Sequence, residues 1–456
     1  MNRLSLKTHA ARGFLAGTIG DTILKTSGFI STAIILANVS PYQYGLWQLL
    51  LSISVAFGVV SVPSIAGMMV ADLSREYGKK NDAYANNLLL HAAVLFLLLG
   101  VVGAVSMYLL ASVVGEYTGI NLVFLIQLLS LTLISYAVRQ IYQLVFQSQL
   151  HLVHSQASKV LERAGYLLGI IIFVSILGRG VDGIAYAFIC ASFVPVLVYA
   201  PYIGKILKKA AADWQPGSWK NFFSEIWQRG KWALLTDGAN AATGSFWPWV
   251  AGFFLGVEAL GLLSIALLAV GQVATSIPIQ YVLRSILPRT TGDMQLMHAW
   301  LLRSMRYSVW IYMVGGILLT ALFAIVTPIW FPLYAAALPY VAILMFTLPL
   351  RGLGVIAGEY FFALGLQQSL FFVSTIPKVT MLALLPAFLY AGGVAGFLVW
   401  QILNADVVVY FRLRAIRQRD QQAIPFTSLF MPEHIDVVFI EKVLDMAKKR
   451  LKALVA

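Results

Sequence analysis

The sequence predicts an all-α polytopic membrane protein: about twelve transmembrane helices in two six-helix lobes around a central cavity, with both ends on the cytoplasmic side. Three observations carry this: the composition, a series of long apolar runs, and a one-sided distribution of lysine and arginine. Hydrophobic residues make up 60% of the 456 residues and charged residues only 11%. Soluble domains carry about 25% charged residues, so this chain could not clothe a globular surface in polar groups. Most of its exterior must face lipid, where helices that satisfy their own backbone groups are stable.

A helix needs about 20 apolar residues to cross the hydrocarbon core. Twelve stretches come close: 13–37, 46–70, 86–111, 121–141, 164–178, 184–204, 231–255, 262–287, 307–327, 339–363, 369–389 and 394–411. The first follows Arg3, Lys7 and Arg12 and runs to Ala37, too far for the core of a cleaved signal peptide. The fifth is short and leaves room for its helix to begin upstream. Connections on one side are tight turns, at Asn38-Val39-Ser40-Pro41-Tyr42, Gly178-Arg179-Gly180 and Gly392-Gly393, while those on the other are mostly longer and basic.

With the N-terminus inside, 28 of the 32 lysines and arginines fall on the cytoplasmic side, among them Arg139, Lys159 and Arg163. The outer loops hold only Arg179, and three cations, Lys25, Arg351 and Lys378, lie within spans. This asymmetry orients the chain. The net charge of +13 is thus a topology signal with some affinity for anionic lipid headgroups, and a nucleic-acid partner is not expected. Cys190, the one cysteine, excludes an internal disulfide and is expected to be packed within its apolar run.

After six spans the chain returns to the cytoplasm, where the longest polar stretch follows, Lys205 to Lys231 with Pro216-Gly217 at its centre. The expected division is an N-lobe at 1–204, a linker at 205–230, a C-lobe at 231–411 and a basic tail at 412–456. Two halves of even span number imply a parallel repeat about an axis along the membrane normal. Aligning Tyr44-Gly45-Leu46 with Leu260-Gly261-Leu262, an offset of 216, also pairs Asp21 with Asp237, Ser27 with Thr243 and Gly28 with Gly244.

Several phrases carry a family likeness. They are Ser40-Pro41-Tyr42-Gln43-Tyr44-Gly45-Leu46-Trp47 and its counterpart Gly256-Val257-Glu258-Ala259-Leu260-Gly261-Leu262, then Leu287-Pro288-Arg289, Glu359-Tyr360-Phe361-Phe362-Ala363-Leu364-Gly365 and Gly392-Gly393-Val394-Ala395-Gly396. From about residue 12 to 415 the chain resembles the polysaccharide-unit flippases, the O-antigen and exopolysaccharide transporters of the multidrug/oligosaccharidyl-lipid/polysaccharide exporter superfamily. The resemblance implies a two-lobed transporter in the bacterial cytoplasmic membrane. It would move undecaprenyl-diphosphate-linked oligosaccharide units to the outer leaflet by alternating access, coupled to protons or sodium ions. A polysaccharide polymerase would be a potential partner.

A charged side chain at mid-membrane costs about 2.5–3.5 kcal/mol on insertion scales, so each one is a functional candidate. Asp21 and Lys25 share one face of the first span, either as an intrahelical ion pair or with Lys25 turned to the substrate diphosphate. Arg351, just after Pro349, matches a phosphate bidentately, unless it pairs with a neighbouring helix. Lys378, after Pro377, is the third candidate cation, with snorkelling to the inner face as the alternative. The candidate coupling acids are Asp21, Asp237, Glu359 and Asp406, although Asp406 is equally suited to pair with the basic run starting at Arg412.

The remaining features read as structural. Trp47, Trp214, Trp219, Trp330 and Tyr334 suit interfacial belts, and Gly354 with Gly358 has the spacing of a close helix contact. The tail from Pro432 suits either an amphipathic surface helix or packing against cytoplasmic loops. His151 and His154 lack a third ligand for a metal, and no cofactor motif is present. Without a phosphate-binding glycine loop, a soluble domain or a large outer loop, an enzyme is not expected. A drug exporter with an acidic cavity and a multi-spanning glycan-transferring enzyme stand as the alternatives.

Overall fold

The computed structural model describes residues 3–61, 66–118, 122–214, 219–276 and 293–421, with Leu283, Leu287 and Leu429. All regular structure among them is helical: α1 (Arg3–Asn38), α2 (Pro41–Ser61), α3 (Ala66–Gly78), α4 (Asp82–Thr118), α5 (Val123–Ser148), α6 (Leu152–Gly169), α7 (Gly180–Ala210), α8 (Trp219–Leu255), α9 (Val257–Ser276), α10 (Met294–Trp330), α11 (Leu338–Leu344), α12 (Thr347–Ala363) and α13 (Gln367–Asp420). Short non-α turns join some of them, notably a π-helical segment, Ile170–Ile176, that continues α6. Each of the twelve expected spans coincides with helical structure, the eighth as far as Ser276.

Seven helices are individually long and apolar enough to cross a bilayer, and an eighth span forms if α11 and α12, which meet at a 52° bend, are taken together. At 54 residues α13 holds the eleventh and twelfth expected spans, separated where Gly393 leaves helical geometry at φ 55° and ψ −129°. A side chain is strongly disfavoured there, which is why glycine marks the turn. The protein is therefore a multi-pass membrane protein.

The structure corrects several boundaries. The second expected span, 46–70, is helical to Ser61 and from Ala66, and residues 62–65 between them lie outside the described residues. The fifth span begins at Leu152 rather than 164, because fifteen residues cannot cross the hydrocarbon. Together with the extension of α5 to Ser148, this draws Arg139, Lys159 and Arg163 out of the cytoplasmic loop and into helices. The polar stretch after Lys205 is also largely helical, with α7 reaching Ala210 and α8 starting at Trp219.

Three single residues are corrected as well. Trp47 is buried against Phe188, ring centroids 5.6 Å apart. Tyr334 is fully buried and donates a 2.8 Å hydrogen bond to the Val39 carbonyl. Neither is interfacial. Cys190 is exposed, not packed. In lipid the outward face of a helix is apolar too, so apolar neighbours do not distinguish inside from outside.

The chain divides into two compact units. The first contains Met1–Leu262 with Trp330–Tyr334, and the second Leu263–Ile329 with Ala335–Ala456. The first unit's core gathers Leu73, Leu89, Phe96, Val145 and Phe146 from α3, α4 and α5, with Phe222 and Ile226 from α8. The second unit's core gathers Leu301, Met305, Leu353, Tyr360 and Ile416 from α10, α12 and α13. Small residues set the closest approaches: a Cβ on Gly100 would stand 2.5 Å from that of Ala137, and one on Gly169 would stand 2.8 Å from that of Ala187. In lipid such contacts replace hydrophobic burial as the packing force.

The opening of α2 is fixed locally. Ser40 and Gln43 exchange hydrogen bonds, Gln43 N–H to the Ser40 hydroxyl at 3.3 Å and Ser40 N–H to Gln43 Oε1 at 3.2 Å. With Pro41 as the first helical residue, this is a capping box.

Candidate functional site

In the first unit, α1, α5 and α6 carry charge into the apolar bundle. Arg139 of α5 forms an ion pair with Glu162 of α6. At 1.5 Å of rise per residue, Glu162 lies about 15 Å from the N-terminal end of α6 and Arg139 about 14 Å from the C-terminal end of α5. The next residue, Arg163, lies over the Tyr166 ring at 5.3 Å from its centroid. Its guanidinium also rests on Gly28 of α1, where a Cβ would overlap it. Arg163 forms no ion pair among the described residues. The Arg139 Nε is buried without a hydrogen-bond partner.

Gly20 against Gln156 and Gly28 against Arg163 fix the register of α1 and α6, which run parallel. Lys25 therefore falls level with the turn before Glu162. Both Asp21 and Lys25 are exposed, and they do not form the intrahelical ion pair that their spacing allows. The side chain of Asp237, on α8, lies outside the described residues.

The second unit holds the other candidates. Arg351 on α12 is half-buried and makes no hydrogen bond or ion pair among the described residues. Glu359, further along α12, is buried at 4% exposure, within electrostatic reach of Arg412 of α13. Arg412 donates to the Gly354 carbonyl through Nη1 and to the Ser374 hydroxyl through Nε at 2.9 Å. A Cβ on Gly358 would stand 3.2 Å from its Nη1. Gly354 and Gly358 thus admit a guanidinium onto the surface of α12. Since Arg412 is taken up here, it is not the partner of Asp406, which is exposed. Lys378 is half-buried, next to the buried Pro377 inside α13.

Sequence reading missed two clusters. One is Arg139, Glu162 and Arg163, and the shortness of the fifth span was the signal that could have found it. The other lies in the second unit, where Asp420 accepts a hydrogen bond from Tyr360 and lies 2.6 Å from His298 Nε2. Nothing local in the sequence links these three residues. The expected amphipathic tail lies outside the described residues.

The described helices thus form a membrane bundle that carries several charges within its apolar segments. One similar solved structure is an inward-facing multidrug resistance MATE transporter of the MOP superfamily, at a TM-score of 0.72 and 16% identity over 88% of this chain and 96% of that one. A second is the lipid II flippase MurJ in an inward closed conformation, at 0.67 and 12% identity over 92% and 89%. A third is a MOP superfamily transporter from Pyrococcus furiosus, whose binding pocket is described as reversed in polarity, at 0.55 and 16% identity over 89% and 94%. The chain has the fold of the MOP superfamily transporters. No family profile and no curated protein matches the sequence.

Proposed function

We propose that the protein is a flippase that moves undecaprenyl-diphosphate-linked oligosaccharide units from the inner to the outer leaflet of a bacterial cytoplasmic membrane, for surface polysaccharide synthesis. In this reading two six-helix lobes, 1–204 and 231–411, alternate access to a central cavity, and an ion gradient drives the cycle. Lys25, Arg351 and Lys378 meet the diphosphate, and Asp21, Asp237, Glu359 and Asp406 are the pool of coupling acids.

The observation that carries the reading is an excess of cations inside apolar helices. Among the described residues Lys25, Arg163 and Arg351 have no acidic partner. A lone cation at this depth costs about 2.5–3.5 kcal/mol unless it reaches water or a counter-ion, and a diphosphate headgroup supplies that counter-ion. Among the structurally similar proteins, one is named as a flippase of lipid II.

Export of a cationic drug is the second reading. It rests on Asp21, an exposed carboxylate within α1, and on the likeness to a multidrug transporter.

Deleting the gene and following the lipid-linked repeat unit tests the proposal. The unit should accumulate on the inner leaflet, and the wild-type gene, but not Arg351→Ala, should clear it. Normal surface glycan in a deletion strain that has no second transporter overturns the reading. Drug sensitivity without glycan loss favours the alternative.

A further inference from the structure

The expected coupling acids do not include the carboxylate that holds a cation at mid-depth in the first unit. We propose that Glu162 is a proton-linked placeholder for the substrate's phosphate on Arg139. When the anion arrives it displaces the Glu162 carboxylate, which takes up a proton. When the anion leaves, Glu162 loses the proton and pairs with Arg139 again. This rests on the flippase reading, because it needs an anionic substrate.

Three observations support it. The ion pair is inter-helical and open, since the side chain of Glu162 is 30% exposed and that of Arg139 is 14% exposed. A partly exposed carboxylate about 15 Å from the end of its helix is held there by its pairing with Arg139, and its open side suits a border with water. The guanidinium is also under-used: a guanidinium has five N–H donors, and the buried Nε of Arg139 finds no acceptor. Finally, Arg163 adds a second guanidinium from the adjacent position without an acid of its own. Two arginines and one carboxylate leave a net positive cluster that one phosphate can neutralise.

Among the described residues the surroundings of Glu162 supply no competing acid at that level. From α5 come Arg139 and Tyr136, with the Tyr136 ring 5.6 Å from Arg139 Cζ. On α6 itself lie Lys159, Arg163 and Tyr166. From α1, Lys25 is level with the preceding turn, and Asp21 is one turn closer to the cytoplasm. Gly165 against Val194 and Gly169 against Ala187 set the register of α7, which has no ionisable residue between Cys190 and Tyr199.

If the arriving anion displaces Glu162 with uptake of one proton, affinity rises as pH falls, by up to about tenfold per pH unit.

The test uses the full chain in detergent with a short-chain polyprenyl-diphospho-N-acetylglucosamine. As a diester, this probe keeps one charge on each phosphate across the neutral and mildly acidic range. Calorimetry in two buffers of different ionisation enthalpy counts protons. The wild type should take up close to one proton per anion bound. Glu162→Gln should take up none, bind more tightly at neutral pH and lose the pH slope. Arg139→Gln should bind weakly at every pH. Thermal melting confirms that both variants are folded, and if Glu162→Gln is not, Glu162→Asp should keep the proton uptake with a displaced pH midpoint. An unchanged slope in Glu162→Gln, or in Glu162→Asp where only that variant folds, or no proton uptake by the wild type, overturns this inference and leaves the flippase reading standing. No binding of the probe by the wild type at any pH overturns both.

Discussion

Gly45 and Gly261 each rest on the backbone carbonyl that opens the other's helix. A Cβ on Gly45 would overlap the Val257 carbonyl, and one on Gly261 would overlap that of Pro41. The same offset of 216 residues that relates the two glycines also relates Pro41 to Val257. The contact is therefore reciprocal. Tyr334 packs beside it, its ring edge-on to Tyr44 at 6.4 Å.

This reciprocity makes the two glycines equivalent in a test. Gly45→Ala and Gly261→Ala should each destabilise the protein by about 1–3 kcal/mol, since the clash is with backbone that cannot rotate away. Melting in detergent should show similar losses for both. Gly78→Ala, where a Cβ meets nothing within 4 Å, should be neutral. A silent Gly261→Ala beside a damaging Gly45→Ala would break the symmetry argument.

Arg412 and Arg351 should separate stability from transport. Arg412 is tied to Gly354, Ser374 and Glu359, and removing one member of a buried charge pair costs about 3–5 kcal/mol. Arg412→Ala should therefore lower the amount of folded protein in the membrane. Arg351→Ala breaks no ion pair, so the protein should accumulate normally and fail in transport. Equal folded yields of both variants would contradict this assignment.

The Tyr334 hydroxyl, 2.8 Å from the Val39 carbonyl, should contribute about 0.5–1.5 kcal/mol, the net worth of an ordinary hydrogen bond. Tyr334→Phe keeps the ring packing and should lower the melting temperature slightly. Tyr334→Ala should be far more damaging, because a fully buried ring is lost. If the two variants melted alike, the ring would be contributing nothing.

Cys190 offers a check on which side of α7 faces outward. It is exposed within an apolar helix, so a lipid-soluble maleimide should label it in native membranes while a charged thiol reagent should not. Rapid labelling by the charged reagent would place the thiol in water.

Much of the architecture was legible in the sequence. Hydropathy located twelve helical stretches because crossing hydrocarbon demands a fixed length of apolar residues, and the turn at Gly392-Gly393 announced itself because few other residues adopt a positive φ.

What escaped was rotation and partnership. Asp21 and Lys25 are spaced for an ion pair that does not form, whereas Arg139 finds Glu162 more than twenty residues away, and Tyr360 and His298 converge on Asp420 across three helices. The sequence by itself determined that the chain crosses a membrane many times and which apolar runs do so, but it left Arg139, Glu162 and Arg163 outside the charges it singled out. Only the tertiary structure decided which of those charges neutralise one another and which stay open. The apolar solvent fixes how long a helix must be, but lipid and core look alike to an apolar face. Each helix's rotation is therefore set by packing against neighbours that lie far away in the chain.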